Sequence, residues 1–71
     1  MAIKVESDVS GSVWKLTAQP GDALQAEDQI AIIESMKMEI PVLAPRAGKL
    51  ARFLVAEGDV IAEGQTIAEI D

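Results

Sequence analysis

The amino-acid sequence predicts an all-β fold, a flattened barrel or sandwich of two four-stranded antiparallel sheets. Three observations lead there. Turn residues recur at short intervals, at Ser10-Gly11-Ser12, Pro20-Gly21-Asp22, Ala47-Gly48, Glu57-Gly58-Asp59 and Glu63-Gly64, where glycine, proline and aspartate supply the backbone angles of tight turns. Between them lie short runs rich in valine, isoleucine and leucine, too brief and too interrupted for a helix. The chain also repeats itself: displaced by 37 positions, residues 1–34 match residues 38–71 without a gap.

Nine pairs in that match are identical: Met1/Met38, Ile3/Ile40, Val5/Val42, Gly11/Gly48, Gly21/Gly58, Asp22/Asp59, Ile30/Ile67, Ala31/Ala68 and Ile33/Ile70. Turn glycines, Gly-Asp pairs and Ile-Ala-x-Ile strands all align together, which chance in an alanine- and isoleucine-rich chain does not readily supply. Each half is too short to bury its apolar face alone, so the halves are expected to pack together about a pseudo-twofold axis. Residues 1–71 then form one domain.

The elements follow in order from the turns. A first strand over 2–6 precedes Ser10-Gly11-Ser12, and a second over 12–17 leads into Pro20-Gly21-Asp22. A brief extended piece near 23–25 follows. The run 29–34 leads up to the junction between the halves, and 38–43 leads away from it. The strand 49–55 lies between Ala47-Gly48 and Glu57-Gly58-Asp59; a brief piece near 60–62 and a strand over 66–70 complete the second half. The expected core is Ile3, Val5, Val13, Leu16, Ile30, Ile33, Ile40, Val42, Leu50, Phe53, Ile67 and Ile70. Trp14 has Ala51 as its repeat partner, and core and docking surface both remain open for it.

Two repeats leave Ser35-Met36-Lys37 unpaired. Strand residues crowd both sides, so the junction reads as a tight hairpin with Met36-Lys37 at its centre. Pairing then sets Ser35 opposite Met38, Glu34 opposite Glu39, Ile33 opposite Ile40 and Ala31 opposite Val42. This register gathers Ala31, Ile33, Ile40 and Val42 on one core-facing stripe, and Lys37 stands at a protruding tip.

Composition excludes several function classes. The 71 residues hold 6 basic and 12 acidic side chains, a formal net charge of −6, and no cysteine or histidine. A disulfide framework, a thiol nucleophile, a histidine-based zinc site and a Ser-His triad are therefore absent. Nucleic-acid binding needs clustered lysine and arginine, which an acidic chain does not offer. Apolar stretches such as Ile30-Ala31-Ile32-Ile33 fall far short of a membrane span. A soluble protein of a cytoplasm-like compartment, without a membrane partner, is the expectation.

The tip breaks two local rules. A two-residue type I′ turn wants positive φ at both centres and favours Asn-Gly or Asp-Gly, whereas Met-Lys brings two bulky side chains at about 1–3 kcal/mol of strain each. Glu34 and Glu39 also face each other across the ladder, where like charges repel. Such conflicts gather at working sites. A lysine at a loop tip is nonetheless most often a solvated charge, and Met36 and Met38 are equally suited to capping the end of a sandwich. Residue types and spacing leave both readings open. Lysine becomes a Schiff-base former when burial or neighbouring cations depress its pKa; an exposed turn beside two glutamates offers neither. An accessible amine on a rigid hairpin instead suits covalent modification by another enzyme.

The stretch Glu34-Ser35-Met36-Lys37-Met38-Glu39 resembles the Met-Lys-Met attachment motif of biotinyl domains, in the biotinyl/lipoyl attachment family. Further matches are Gly11-Ser12-Val13, Pro20-Gly21-Asp22, Ala44-Pro45-Arg46-Ala47-Gly48, Glu57-Gly58-Asp59 and Gly64-Gln65, so the resemblance spans nearly the whole chain. It implies that Lys37 is joined to biotin through an amide bond, flanked by Met36 and Met38, with Glu34 at a position associated with recognition by the biotin protein ligase. Lipoyl domains share the fold and usually carry Asp-Lys-Ala at the tip, so methionines at 36 and 38 favour biotin over lipoate. Ser35 departs from the alanine found in many members. The short turn Thr17-Ala18-Gln19-Pro20-Gly21 replaces the thumb of some acetyl-CoA carboxylase carriers, which makes the chain similar to thumbless biotin carboxyl carriers.

The resemblance implies a division of labour. The cofactor performs the hard chemistry and the protein presents it. A biotin carboxylase would load CO2 onto the biotin, and a carboxyltransferase would pass it on. The chain, lacking a nucleotide loop and an acid–base pair, is then a monomeric carrier and not an enzyme. A lipoyl carrier and an unmodified lipoyl-like interaction module are the alternatives.

Overall fold

The computed structural model describes residues 3–71. Eight strands follow one another: β1 (Ile3–Glu6), β2 (Gly11–Leu16), β3 (Ala23–Leu24), β4 (Gln29–Ser35), β5 (Met38–Leu43), β6 (Gly48–Phe53), β7 (Val60–Ile61) and β8 (Thr66–Ile70). Each begins or ends within two residues of its sequence expectation; the start of the first strand at Ala2 and the Met1/Met38 pair lie outside the described residues. The strands form two antiparallel four-stranded sheets, ordered β1-β8-β6-β3 and β5-β4-β2-β7. Displacing the first order by one half-repeat, so that β1 becomes β5 and β8 becomes β4, yields the second. The pseudo-twofold thus exchanges the sheets, and each half supplies two strands to both.

Backbone hydrogen bonds obey the same displacement. The Gly21 N–H donates to the Leu50 carbonyl at 2.7 Å, and the Gly58 N–H to the Val13 carbonyl at 2.7 Å. In return the Leu50 N–H donates to the Asp22 carbonyl at 2.9 Å, and the Val13 N–H to the Asp59 carbonyl at 2.8 Å. The carboxylates of Asp22 and Asp59 accept from the Gln19 and Ala56 N–H groups, each at 2.9 Å, closing side-chain turns that favour aspartate. The two Gly-Asp pairs therefore clamp one half onto a central strand of the other.

Burial also comes in pairs. Val5 and Val42, Val13 and Leu50, Leu24 and Ile61, Ile30 and Ile67, Ala31 and Ala68, and Ile33 and Ile70 are all buried. Four expected core residues are only half-buried: Ile3, Ile40, Leu16 and Phe53. They too are two repeat pairs. Ile3 and Ile40 sit on β1 and β5, the edge strands, where one side lacks a neighbour. Leu16 and Phe53 end β2 and β6 and close the core from its rim. Small side chains fill positions that the apolar pattern understated, notably Ala18, Ala44 and Ala68. Ser7 is buried as well, its hydroxyl donating to the Val9 carbonyl at 2.6 Å.

Bulges interrupt β2 between Val13 and Lys15 and β6 between Leu50 and Arg52. The extra residues are Trp14 and Ala51, which are repeat partners. An extra residue re-aims its side chain relative to the alternation, and Trp14 is 49% exposed. It belongs to the surface. A side chain at Gly11 would meet the Glu34 carbonyl, and one at Gly48 the Asp71 carbonyl. The missing Cβ at Gly11 lets β2 pass close beside the strand that leads to the hairpin.

Ile33 is 0% exposed. Ile33→Ala is expected to cost about 2–5 kcal/mol of unfolding free energy, measurable by denaturant titration; unchanged stability would contradict the packing described above. Glu27 adopts φ 73° where its repeat partner Gly64 has φ 84°. A left-handed conformation costs a residue bearing Cβ about 1–2 kcal/mol, so Glu27→Gly is expected to raise the unfolding midpoint.

Candidate functional site

The β4–β5 hairpin carries the candidate site residues. Its ladder pairs Ser35 with Met38, Glu34 with Glu39, Ile33 with Ile40, Ile32 with Pro41 and Ala31 with Val42, the register expected from the sequence. Ala31, Ile33 and Val42 point into the core, and half-buried Ile40 continues their stripe at the edge. The inward residues anchor the hairpin, so its turn is held by packing along both arms.

Met36 and Lys37 occupy the two central positions with φ of 52° and 65°. Both angles are positive, as a type I′ turn requires, and neither residue is one that tolerates them cheaply. Met36 is 92% exposed and Met38 63%. Lys37 is exposed between them. Among the described residues the ion pair is Arg52 Nε to Glu69 Oε1 at 2.6 Å, on the opposite sheet, and Lys37 takes part in none. The two main surface clefts are lined by residues of β1, β5 and adjoining loops; Lys37 and its flanking methionines line neither.

Glu34 and Glu39 face each other across the ladder and both are exposed. They place negative charge one residue pair below the turn. The structure thus brings together all the side chains singled out in the sequence: Lys37 at the apex, Met36 and Met38 beside it, and Glu34 on the arm leading to it. Such an arrangement lacks the concave, water-excluding surroundings in which a lysine performs chemistry itself. It does offer a primary amine open to approach.

Sequence reasoning left Trp14 unassigned, and its position beside the hairpin emerges from the fold. Trp14 lies in the bulge of β2 next to Ile32 of β4, since Lys15 pairs with Ile32. The Lys15 Nζ lies 6.0 Å from the centre of the Trp14 ring, at the outer limit of a cation–π contact. The apparent signal was the size mismatch between Trp14 and its repeat partner Ala51, but its direction depends on a bulge.

A family profile described as biotin-requiring enzyme matches residues 1–70. The chain is 43% identical over 70 residues to the biotinylated protein TB7.3 homolog of Mycobacterium leprae (strain TN), covering 99% of both proteins. It is 38% identical over 66 residues to a biotin/lipoyl attachment protein of Bacillus subtilis (strain 168), covering 93% of this chain and 90% of the relative. Among solved structures, the urea carboxylase of Kluyveromyces lactis superimposes with a TM-score of 0.95 at 37% identity, covering all of this chain and 6% of that one. The lipoyl domain of the 2-oxoglutarate dehydrogenase complex from Azotobacter vinelandii superimposes with a TM-score of 0.73 at 28% identity, covering 89% of this chain and 80% of that one. The all-β architecture, the whole-length profile match and these relatives agree: the chain belongs to the biotin/lipoyl attachment family.

Proposed function

We propose that this chain is a biotin carboxyl carrier in which Lys37 is joined to biotin by a biotin protein ligase. The observation that supports it is an exposed lysine at the centre of a strained two-residue turn, between Met36 and Met38. Attachment forms an amide bond: Lys37 Nζ, as the neutral amine, attacks an activated biotin carboxyl, loses its proton and displaces the activating group. Bound biotin supplies a ureido nitrogen that accepts and gives up a carboxyl group. Lys37 anchors that chemistry, the hairpin arms hold the anchor at a fixed place, and Glu34 and Glu39 set the charge that a partner meets there. Partners would be a biotin carboxylase and a carboxyltransferase, each bound transiently.

Lipoate is the second reading. A probable dihydrolipoyllysine-residue succinyltransferase component of Schizosaccharomyces pombe is 42% identical over 66 residues. The methionines at 36 and 38 favour biotin within the family resemblance. An unmodified interaction module is the third, and it leaves the turn strain without a role.

Intact-mass spectrometry after co-expression with a biotin protein ligase is expected to show one biotinyl adduct, absent from Lys37→Arg. An unmodified chain overturns the biotin reading, and a lipoyl adduct from cells that also supply a lipoate ligase favours the second. Replacing the turn by its preferred residues, Met36→Asn with Lys37→Gly, is expected to stabilise the fold by about 1 kcal/mol or more while abolishing attachment; a lower unfolding midpoint would show that the turn is unstrained.

A further inference from the structure

The pseudo-twofold provides an internal control for surface chemistry, because every outward position on one sheet has a partner on the other. On the β1-β8-β6-β3 sheet the cross-strand row is Lys4, Glu69 and Arg52, with Glu69 paired in register to both neighbours. Its ion pair between Arg52 and Glu69 measures 2.6 Å. The equivalent row on the sheet bearing Lys37 is Pro41, Ile32 and Lys15. Where the first sheet has Ala51 in its bulge, the second has Trp14; where the first has Glu6, the second has Leu43.

The central row is therefore charged throughout on one outer face, while on its twin it is apolar except for Lys15. Trp14 is 49% exposed, Leu43 44% and Val60 82% on β2, β5 and β7, and half-buried Ile32 on β4 lies between them. Nothing in the fold demands this, since the same backbone carries a charged row on the other side. Apolar groups left in water on one of two equivalent faces mark a contact surface. Tryptophan is enriched among the residues that anchor interfaces.

Charge identifies what covers it. The chain has a net charge of −6, and Glu34 and Glu39 border the face on the side of the turn. A second copy would bring the same charge and the same glutamates against themselves. A partner with an apolar seat edged by lysine or arginine complements the face. Distance selects among the proteins that handle Lys37. Ile32 and Pro41 lie three residues along their strands from the last pair before the turn, about 10 Å at strand rise. An enzyme acylating the bare amine must close on the hairpin to bond-forming distance, whereas one that handles an attached cofactor has the length of that arm to spare.

Resting on the reading of Lys37 as the attachment site, we propose that Trp14, Ile32, Pro41 and Leu43 form the docking face for the ligase that acylates Lys37. The test measures biotin incorporation with a purified biotin protein ligase, biotin and ATP, using the full chain as substrate. Trp14→Ser and Ile32→Thr are each expected to raise KM for the chain about tenfold or more with little change in kcat. Arg52→Ser, on the opposite sheet, is expected to leave both constants unchanged, and thermal melts verify that each variant is folded. Because Trp14 is the one tryptophan in the sequence, a 5-fluorotryptophan label in Lys37→Arg reports on the face without disturbing it. Its 19F resonance is expected to shift or broaden saturably with ligase.

A wild-type chain that is biotinylated, with Trp14→Ser equally good and the 19F signal unmoved at saturating ligase, overturns the docking face and spares the carrier reading. No biotin on the wild-type chain overturns both. A mass doubling in solution that Trp14→Ser abolishes overturns the ligase in favour of a second copy.

Discussion

Each half of the chain completes a sheet only by accepting strands from the other, and the posture of Lys37 depends on that exchange. β4 holds its place because β2 lies against one edge and β5 against the other. β2 in turn is fixed by Val13, whose N–H and carbonyl are bonded to Asp59 and Gly58 of the second half. Stiffness at the hairpin thus originates in a turn far from it in sequence. The same clamp acts on Leu50 in the opposite sheet, so neither half has slack to shed.

A supported hairpin can hold a turn that its own residues resist. Two adjacent left-handed residues with full side chains are unfavourable in isolation, yet the arms of β4 and β5 overrule them through buried Ala31, Ile33 and Val42. What results is an amine pushed clear of the surface, with methionines on each side and no competing carboxylate paired to it. The strain and the accessibility share one cause: the turn is as short as a hairpin allows.

Much of this was legible in the sequence because the repeat doubled every signal. The Gly-Asp pairs marked equivalent turns, and three leftover residues located the hairpin and its register down to Glu34 opposite Glu39. Other features had no local mark. A bulge at Trp14 or Ala51 is a property of two strands compared, so neither strand alone announces it, and without it the direction of Trp14 cannot be read. Alanine is mute in apolar patterns, which hid Ala18, Ala44 and Ala68 in the core. The half-burial of Ile3 and Ile40 follows from sheet order, and apolar runs do not reveal which strand is an edge. Biotin and lipoate are likewise not separated by the fold, which both kinds of relative share.

The pairing of β1 with β8, Ile3 opposite Ile70, bears on how the protein is made. The most local strand pairing, the β4–β5 hairpin, closes through two left-handed residues, which makes it a poor nucleus. Closure relies on segments far apart along the chain, and topologies of that kind fold in milliseconds to seconds. On the ribosome the hairpin would therefore reach its final pose only after β8 had emerged, far behind its own synthesis.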